Sequence, residues 1–230
     1  MLISGLQKLT LLDYPEKLAA TIFTPGCNFR CPFCHNASLV LQPGNAPMIS
    51  EEEVLTFLDS RKGRLDGVCI TGGEPLMQKD VGGFIKKVKE MGYLVKLDTN
   101  GSFSDRLKAL VDDKLVDYIA MDIKNSPGKY VLTSAATPDM MEQVNKSVSF
   151  LLEGRVDYEF RTTVVSEFHE EEDFREIGRW IEGAKSYVLQ NYEDSEDVIQ
   201  CGLSSAGRDR LLKFADIVRP YVCSVHIRGI

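Results

Sequence analysis

Residues 67–99, GVCITGGEPLMQKDVGGFIKKVKEMGYLVKLDT, hold the smallest unit from which the fold can be read. GVCITG (67–72) is a short apolar run containing β-branched residues and stopped by glycines and a proline, the pattern of a buried strand. Val81, Phe84, Ile85 and Val88 then recur at three- and four-residue steps, which puts them on one face of a helix. A second apolar run, YLVKLD (93–98), returns the chain to the sheet. Strand, helix and strand in so few residues make a β-α-β unit, whose two strands run parallel.

The alternation continues in both directions. LAATIF (18–23), VDYIAMDI (116–123), YEFRTTVV (158–165) and SYVLQ (186–190) read as strands, and VCSVHI (222–227) as an extra one. A capping box, Ser50-x-x-Glu53, opens a helix carrying Val54, Phe57 and Leu58. Apolar stripes of the same kind follow at Leu107, Leu110 and Val111, at Met141, Val144, Val148 and Leu151, at Phe174, Ile177 and Ile181, and at Leu211, Ala215 and Val218. A complete eight-unit barrel takes about 250 residues. Here a leader (1–17) and a cysteine loop (25–38) leave room for about six units in 230 residues. The expected fold is α/β, an incomplete (β/α)6 TIM-like barrel of mainly parallel strands, with residues 1–230 as one domain; a flat doubly wound sheet is the alternative. Both architectures place their chemistry at the C-terminal strand ends.

Composition narrows the function classes. With 27 Lys and Arg against 34 Asp and Glu, the net charge is −7, and no dense basic face is offered to nucleic acid or an anionic membrane. The longest apolar runs fall well short of the roughly 20 residues that span a bilayer. MLISGLQKLTLLDYP lacks the basic start, apolar core and cleavage site of a signal peptide. A soluble, cytoplasmic protein is expected. Of six cysteines, Cys27, Cys31 and Cys34 lie together, whereas Cys69, Cys201 and Cys223 are scattered. A tight cluster without export signals reads as metal or redox chemistry.

The cysteine loop, PGCNFRCPFCHN (25–36), has CxxxCxxC spacing. Three thiolates on one loop can wrap a face of an iron–sulfur cluster and leave one iron open. The other reading is a structural zinc bound by Cys27, Cys31, Cys34 and His35, although adjacent Cys34 and His35 chelate awkwardly. The strand ends carry Gly72, Gly73 and Glu74, then Asp98 and Thr99, Asp122 and Lys124, Arg161, and Gln190. Glycines admit close backbone approach, and Glu74 can accept from an ammonium group; a strand-ending turn accounts for the same residues. Arg161, in an apolar strand, needs a partner such as Asp98 or Asp122, or a bound ligand. Cys69 reads as a core residue, and His169 and His226 as surface or edge residues.

CNFRCPFC followed by His35 and Asn36, with Gly72-Gly73-Glu74-Pro75 further on, resembles the radical S-adenosylmethionine (SAM) enzymes, and within them the glycyl-radical-enzyme activases. Leu11-Leu12-Asp13-Tyr14-Pro15, Lys17-Leu18-Ala19 and Thr24-Pro25-Gly26 bring it nearest to the longer anaerobic ribonucleoside-triphosphate reductase activating proteins. The resemblance implies a [4Fe–4S] cluster on Cys27, Cys31 and Cys34, with Phe33 as the motif's aromatic residue and SAM on the open iron. One electron then splits SAM to methionine and a 5′-deoxyadenosyl radical, which takes hydrogen from a glycine Cα of a partner glycyl radical enzyme. It further implies that Gly72, Gly73 and Glu74 meet the methionine amine. Asp98, Thr99, Asp122 and Lys124 lie near the SAM carboxylate, directly or through a monovalent cation, and Arg161 and Gln190 contact SAM. The implied partner is anaerobic ribonucleoside-triphosphate reductase, with flavodoxin or ferredoxin as electron donor. Another glycyl radical enzyme such as pyruvate formate-lyase, a small molecule, a peptide or RNA are the alternative substrates, and a zinc-stabilised interaction domain is the non-enzymatic alternative.

Overall fold

The computed structural model of the chain describes residues 1–44 and 47–230. Among these, eight strands form one sheet in strict sequence order: β1 (Gly5–Thr10), β2 (Ala19–Thr24), β3 (Gly67–Gly72), β4 (Leu94–Thr99), β5 (Tyr118–Asp122), β6 (Asp157–Val164), β7 (Tyr187–Asn191) and β8 (Val225–Arg228). From β2 to β8 every neighbouring pair is parallel. A doubly wound sheet reverses its strand order at a switch point; this order never reverses, and β1 and β8 stay apart at its two ends. The fold is the incomplete barrel, left open.

Among the described residues eight α-helices cover it: α1 (Ala37–Leu41), α2 (Glu51–Asp59), α3 (Val81–Glu90), α4 (Ser104–Asp112), α5 (Tyr130–Ser134), α6 (Pro138–Leu152), α7 (Glu171–Trp180) and α8 (Arg208–Val218). Ser50 caps α2 by accepting from the Glu53 amide at 3.1 Å, as the capping box predicts. The apolar stripes face inward, with Val81, Phe84, Ile85 and Val88 of α3 and Leu107, Leu110 and Val111 of α4 all buried. Burial of these faces against the sheet is the main favourable term in such a fold. Among the described residues, no helix is long and apolar enough to cross a membrane.

Two elements depart from the sequence reading. The leader is not plain coil: residues 5–10 form β1, antiparallel to β2, with Leu6 opposite Ile22 and Gln7 opposite Thr21. Its exposed, polar-interrupted pattern is that of an edge strand, which periodicity marks only weakly. At the other end only four residues of the 222–227 segment and its successor pair with β7.

Candidate active site

Sheet register decides which side chains meet. In a parallel ladder, residues paired across strands point the same way, so Asp122 on β5 stands beside Arg161 on β6, and Thr163 on β6 beside Gln190 on β7. At the C-terminal strand ends these converge on a cavity of about 240 Å³. Cys27, Cys31, Cys34, Phe33, Gly72, Gly73, Asp98, Thr99, Asp122, Lys124, Arg161 and Gln190 all line it. Glu74 does not.

Over β2 and β3 the wall is backbone. Gly72 has φ +115°, and a Cβ there would lie 2.4 Å from the Thr24 backbone; a Cβ on Gly73 would lie 1.9 Å from the Gly26 carbonyl oxygen. Only glycine allows this contact. The two turns interlock, Gly73 N–H donating to Thr24 O and Glu74 N–H to Gly26 O, both at 2.8 Å. Asn36 adds a third tie by donating to Gly72 O at 3.1 Å. Glu74 itself turns inward and is 0% exposed. Its carboxylate accepts from Leu76 N–H and the Thr99 hydroxyl on one oxygen and from Asn100 N–H on the other. Burial outweighs those donors and raises its pKa to about 7. The structure thus gives Glu74 a place joining the β3 and β4 turns.

Over β4, β5 and β6 the wall is charged. Lys96, 1% exposed, pairs with Asp98 Oδ1. Arg161 bridges the two aspartates, Nη1 reaching Asp98 Oδ2 at 3.1 Å and Nε reaching Asp122 Oδ1 at 3.0 Å. Lys124 Nζ takes Asp122 Oδ2 at 2.9 Å. Of the partners open to Arg161, the structure shows both acids at once. Burial alone pushes the Asp122 carboxyl up, but Arg161 and Lys124 override it and hold it well below the usual range. Three cations meet two carboxylates, so the group carries one positive charge in excess. Side chains of Arg161 and Lys124, 16% and 17% exposed, reach the cavity surface with that charge.

The thiols occupy the third wall. Phe29 and Phe33 are buried beside them, and Phe29 packs edge-on against Tyr130 of α5 at 6.3 Å. Burial pushes the Cys27 thiol up to about 11 and Cys31 up to about 12, so a metal is required to draw off their protons. Phe29 N–H points at Cys27 Sγ at 3.4 Å and Asn100 Nδ2 lies 3.8 Å from it, donors of the kind that tune a cluster's sulfur ligands. Among the described residues no three His, Cys, Asp or Glu side chains gather closely enough to hold a single metal ion. One zinc on Cys27, Cys31, Cys34 and His35 is thus not formed, and the His35 ring is engaged elsewhere, Nε2 lying 2.6 Å from Glu193 O. Three thiols lining one cavity suit a four-iron cluster, which takes each at a different iron.

Several residues that hold the site escaped sequence reasoning. The segment after β7 clamps the cysteine loop: His35 stacks on Tyr192 at 5.1 Å, Ser38 bonds Asp197 through its amide and hydroxyl, and Gln200 N–H donates to Pro32 O at 2.9 Å. Nothing in its polar sequence, YEDSEDVIQ, marks it. His169, expected at the surface, is 0% exposed. Its Nδ1 accepts from Val165 N–H, which leaves the proton on Nε2 to be donated to Lys124 O at 3.1 Å. A lone histidine after a strand carries no signal of such a role. Asn100 and Asn28, linked at 2.9 Å, tie the cysteine loop to the turn after β4.

Comparison with known proteins shows the family. The Radical SAM superfamily model matches residues 21–180. A Methanocaldococcus jannaschii protein provisionally named a glycyl-radical enzyme activating enzyme is 33% identical over 235 residues, spanning 100% of this chain and 96% of its own. The pyruvate formate-lyase-activating enzyme of Staphylococcus aureus is 30% identical over 136 residues, covering 54% of this chain and 53% of that one. The crystal structure of Streptococcus suis SuiB shares the fold, with a TM-score of 0.70 at 15% identity over 91% of this chain; the chain spans about half (48%) of SuiB. The chain is an enzyme of the radical SAM superfamily.

Proposed function

We propose that the chain is a glycyl-radical-enzyme activase whose partner is anaerobic ribonucleoside-triphosphate reductase, working in the cytoplasm with flavodoxin or ferredoxin as electron donor. The observation that carries this reading is one cavity that combines three cysteine thiols with a charged wall holding one positive charge in excess. Full-length likeness to an archaeal protein named as an activating enzyme supports the activase role. When bound, a [4Fe–4S] cluster and SAM supply a one-electron cleavage that leaves a carbon radical able to take a hydrogen atom.

Every other part falls to the chain's own groups. Cys27, Cys31 and Cys34 would hold the cluster, and Phe29 and Phe33 keep water from it. Lys124 and Arg161 present fixed cationic hydrogen-bond donors to the SAM carboxylate, and Asp98 and Asp122 keep those donors in place. The cradle of Gly72 and Gly73 lets the methionine end approach backbone, and Gln190 offers an amide at the β7 rim.

Electron paramagnetic resonance tests the proposal directly. The reconstituted, reduced protein is mixed anaerobically with SAM and, in parallel, with the reductase, with pyruvate formate-lyase, or with no partner. A glycyl doublet with the reductase, absent after Cys31→Ala, is expected. A doublet only with pyruvate formate-lyase replaces the partner, and SAM cleavage with no doublet in any mixture rejects the activase reading.

A further inference from the structure

Asp98, Thr99, Asp122 and Lys124 are the residues expected near the SAM carboxylate, directly or through a monovalent cation, and each already bonds protein partners. Each of the four carboxylate oxygens faces a protein cation: Lys96 and Arg161 at Asp98, Arg161 and Lys124 at Asp122. The Thr99 hydroxyl donates to Glu74 at 2.9 Å and accepts from Gly101 N–H at 3.1 Å. A metal cation needs oxygen lone pairs turned toward it. Here it would also enter a half-buried group that already holds one positive charge in excess, where repulsion is screened less than in open water.

We infer that Arg161 is the built-in cation of this site, its guanidinium standing between Asp98 and Asp122 so that SAM is held without a monovalent ion. Guanidinium suits the task, because it stays charged at any working pH and its planar fork can serve two carboxylates at once. Nε engages one acid and Nη1 the other, and the same side chain lines the cavity. Arg161 thus replaces an exchangeable ion with a covalently held one, and acts as a positioning residue for Asp98 and Asp122.

The test has two arms, of which only the second rests on the proposed function. In the first, cluster-free protein is melted in choline, sodium and potassium chloride at one ionic strength. The unaltered chain is expected to melt at the same temperature in all three. Arg161→Gln, which leaves the two acids without their shared partner, is expected to melt lower in choline and to regain about 2–4 °C, saturably, in sodium or potassium. Arg161→Lys keeps a fixed charge and is expected to be indifferent to the ion. Saturable stabilisation of the unaltered chain by sodium or potassium overturns the inference, as does an Arg161→Gln protein indifferent to both; if Arg161→Gln does not fold, the unaltered chain and Arg161→Lys decide. In the second arm, SAM binding to the cluster-loaded protein is measured in the same salts, with dissociation constants expected to agree within about twofold. A tenfold gain in sodium or potassium overturns the inference. Failure to bind SAM in every salt defeats the proposed function and leaves the melting arm to judge Arg161.

Discussion

The two halves of the rim are built from opposite materials. Over β2 and β3 the cavity wall is backbone, Thr24 to Gly26 lying against Gly72 and Gly73 with no room for a single methyl group. Over β4 to β6 it is four charged side chains, Asp98, Arg161, Asp122 and Lys124, backed by Lys96 below the rim. The first half fixes a shape and is intolerant of added atoms. The second fixes a potential and is intolerant of a missing charge. A ligand with a small zwitterionic end and a bulky remainder needs both, which is why the two halves share one pocket.

The contrast can be broken at its strongest point with Lys96→Met. This residue is 1% exposed and precedes Asp98 on the same face of β4, below the rim, yet its loss leaves Asp98 short of a partner. Breaking a buried pair from one side costs about 3 kcal/mol, to be read from the denaturant midpoint of the cluster-free protein. A cost under about 1 kcal/mol would show that the charges are solvated rather than locked. Gly73→Ala strikes the other half. Pushing a methyl onto the Gly26 carbonyl is expected to cost about 1–3 kcal/mol and, by moving the cysteine loop, to lower the iron retained per chain after reconstitution. Full iron content in this variant would mean that the loop is not braced by the glycine turn. The smallest effect belongs to Asn36→Ala, which removes one bond to Gly72 O and is expected to cost about 1 kcal/mol with the ligand-free fold intact.

What could be read beforehand follows the same division. Strands β3, β4 and β6 and the inward stripes of α3 and α4 were legible, because an apolar period is a local property that survives into the packed state. Residue types at the rim were legible too, since a charge at the end of an apolar strand must find water, a counter-charge or a ligand there. The sequence also offers Asp98 or Asp122 as a partner for Arg161, but does not show that one guanidinium serves both. Arg161 bonds Asp98 across 63 positions, its long side chain reaching from β6 past β5 to β4, a meeting set by strand order rather than by sequence separation. Glu74 is a second case: its place in a glycine motif suggests a ligand contact but not that the turn geometry offers both its oxygens to backbone N–H groups and a neighbouring hydroxyl. β1 stayed hidden because an edge strand facing solvent keeps little apolar alternation.

The clamp formed by Tyr192, Glu193, Asp197 and Gln200 on the cysteine loop also bears on how the protein is born. The ribosome delivers the three cysteines early and their brace nearly 160 residues later, as the Ser38–Asp197 separation of 159 records. Closing so long a loop is slow and depends on the strands between. The cysteine loop therefore lacks this brace until residues 192–200 have emerged, late in synthesis.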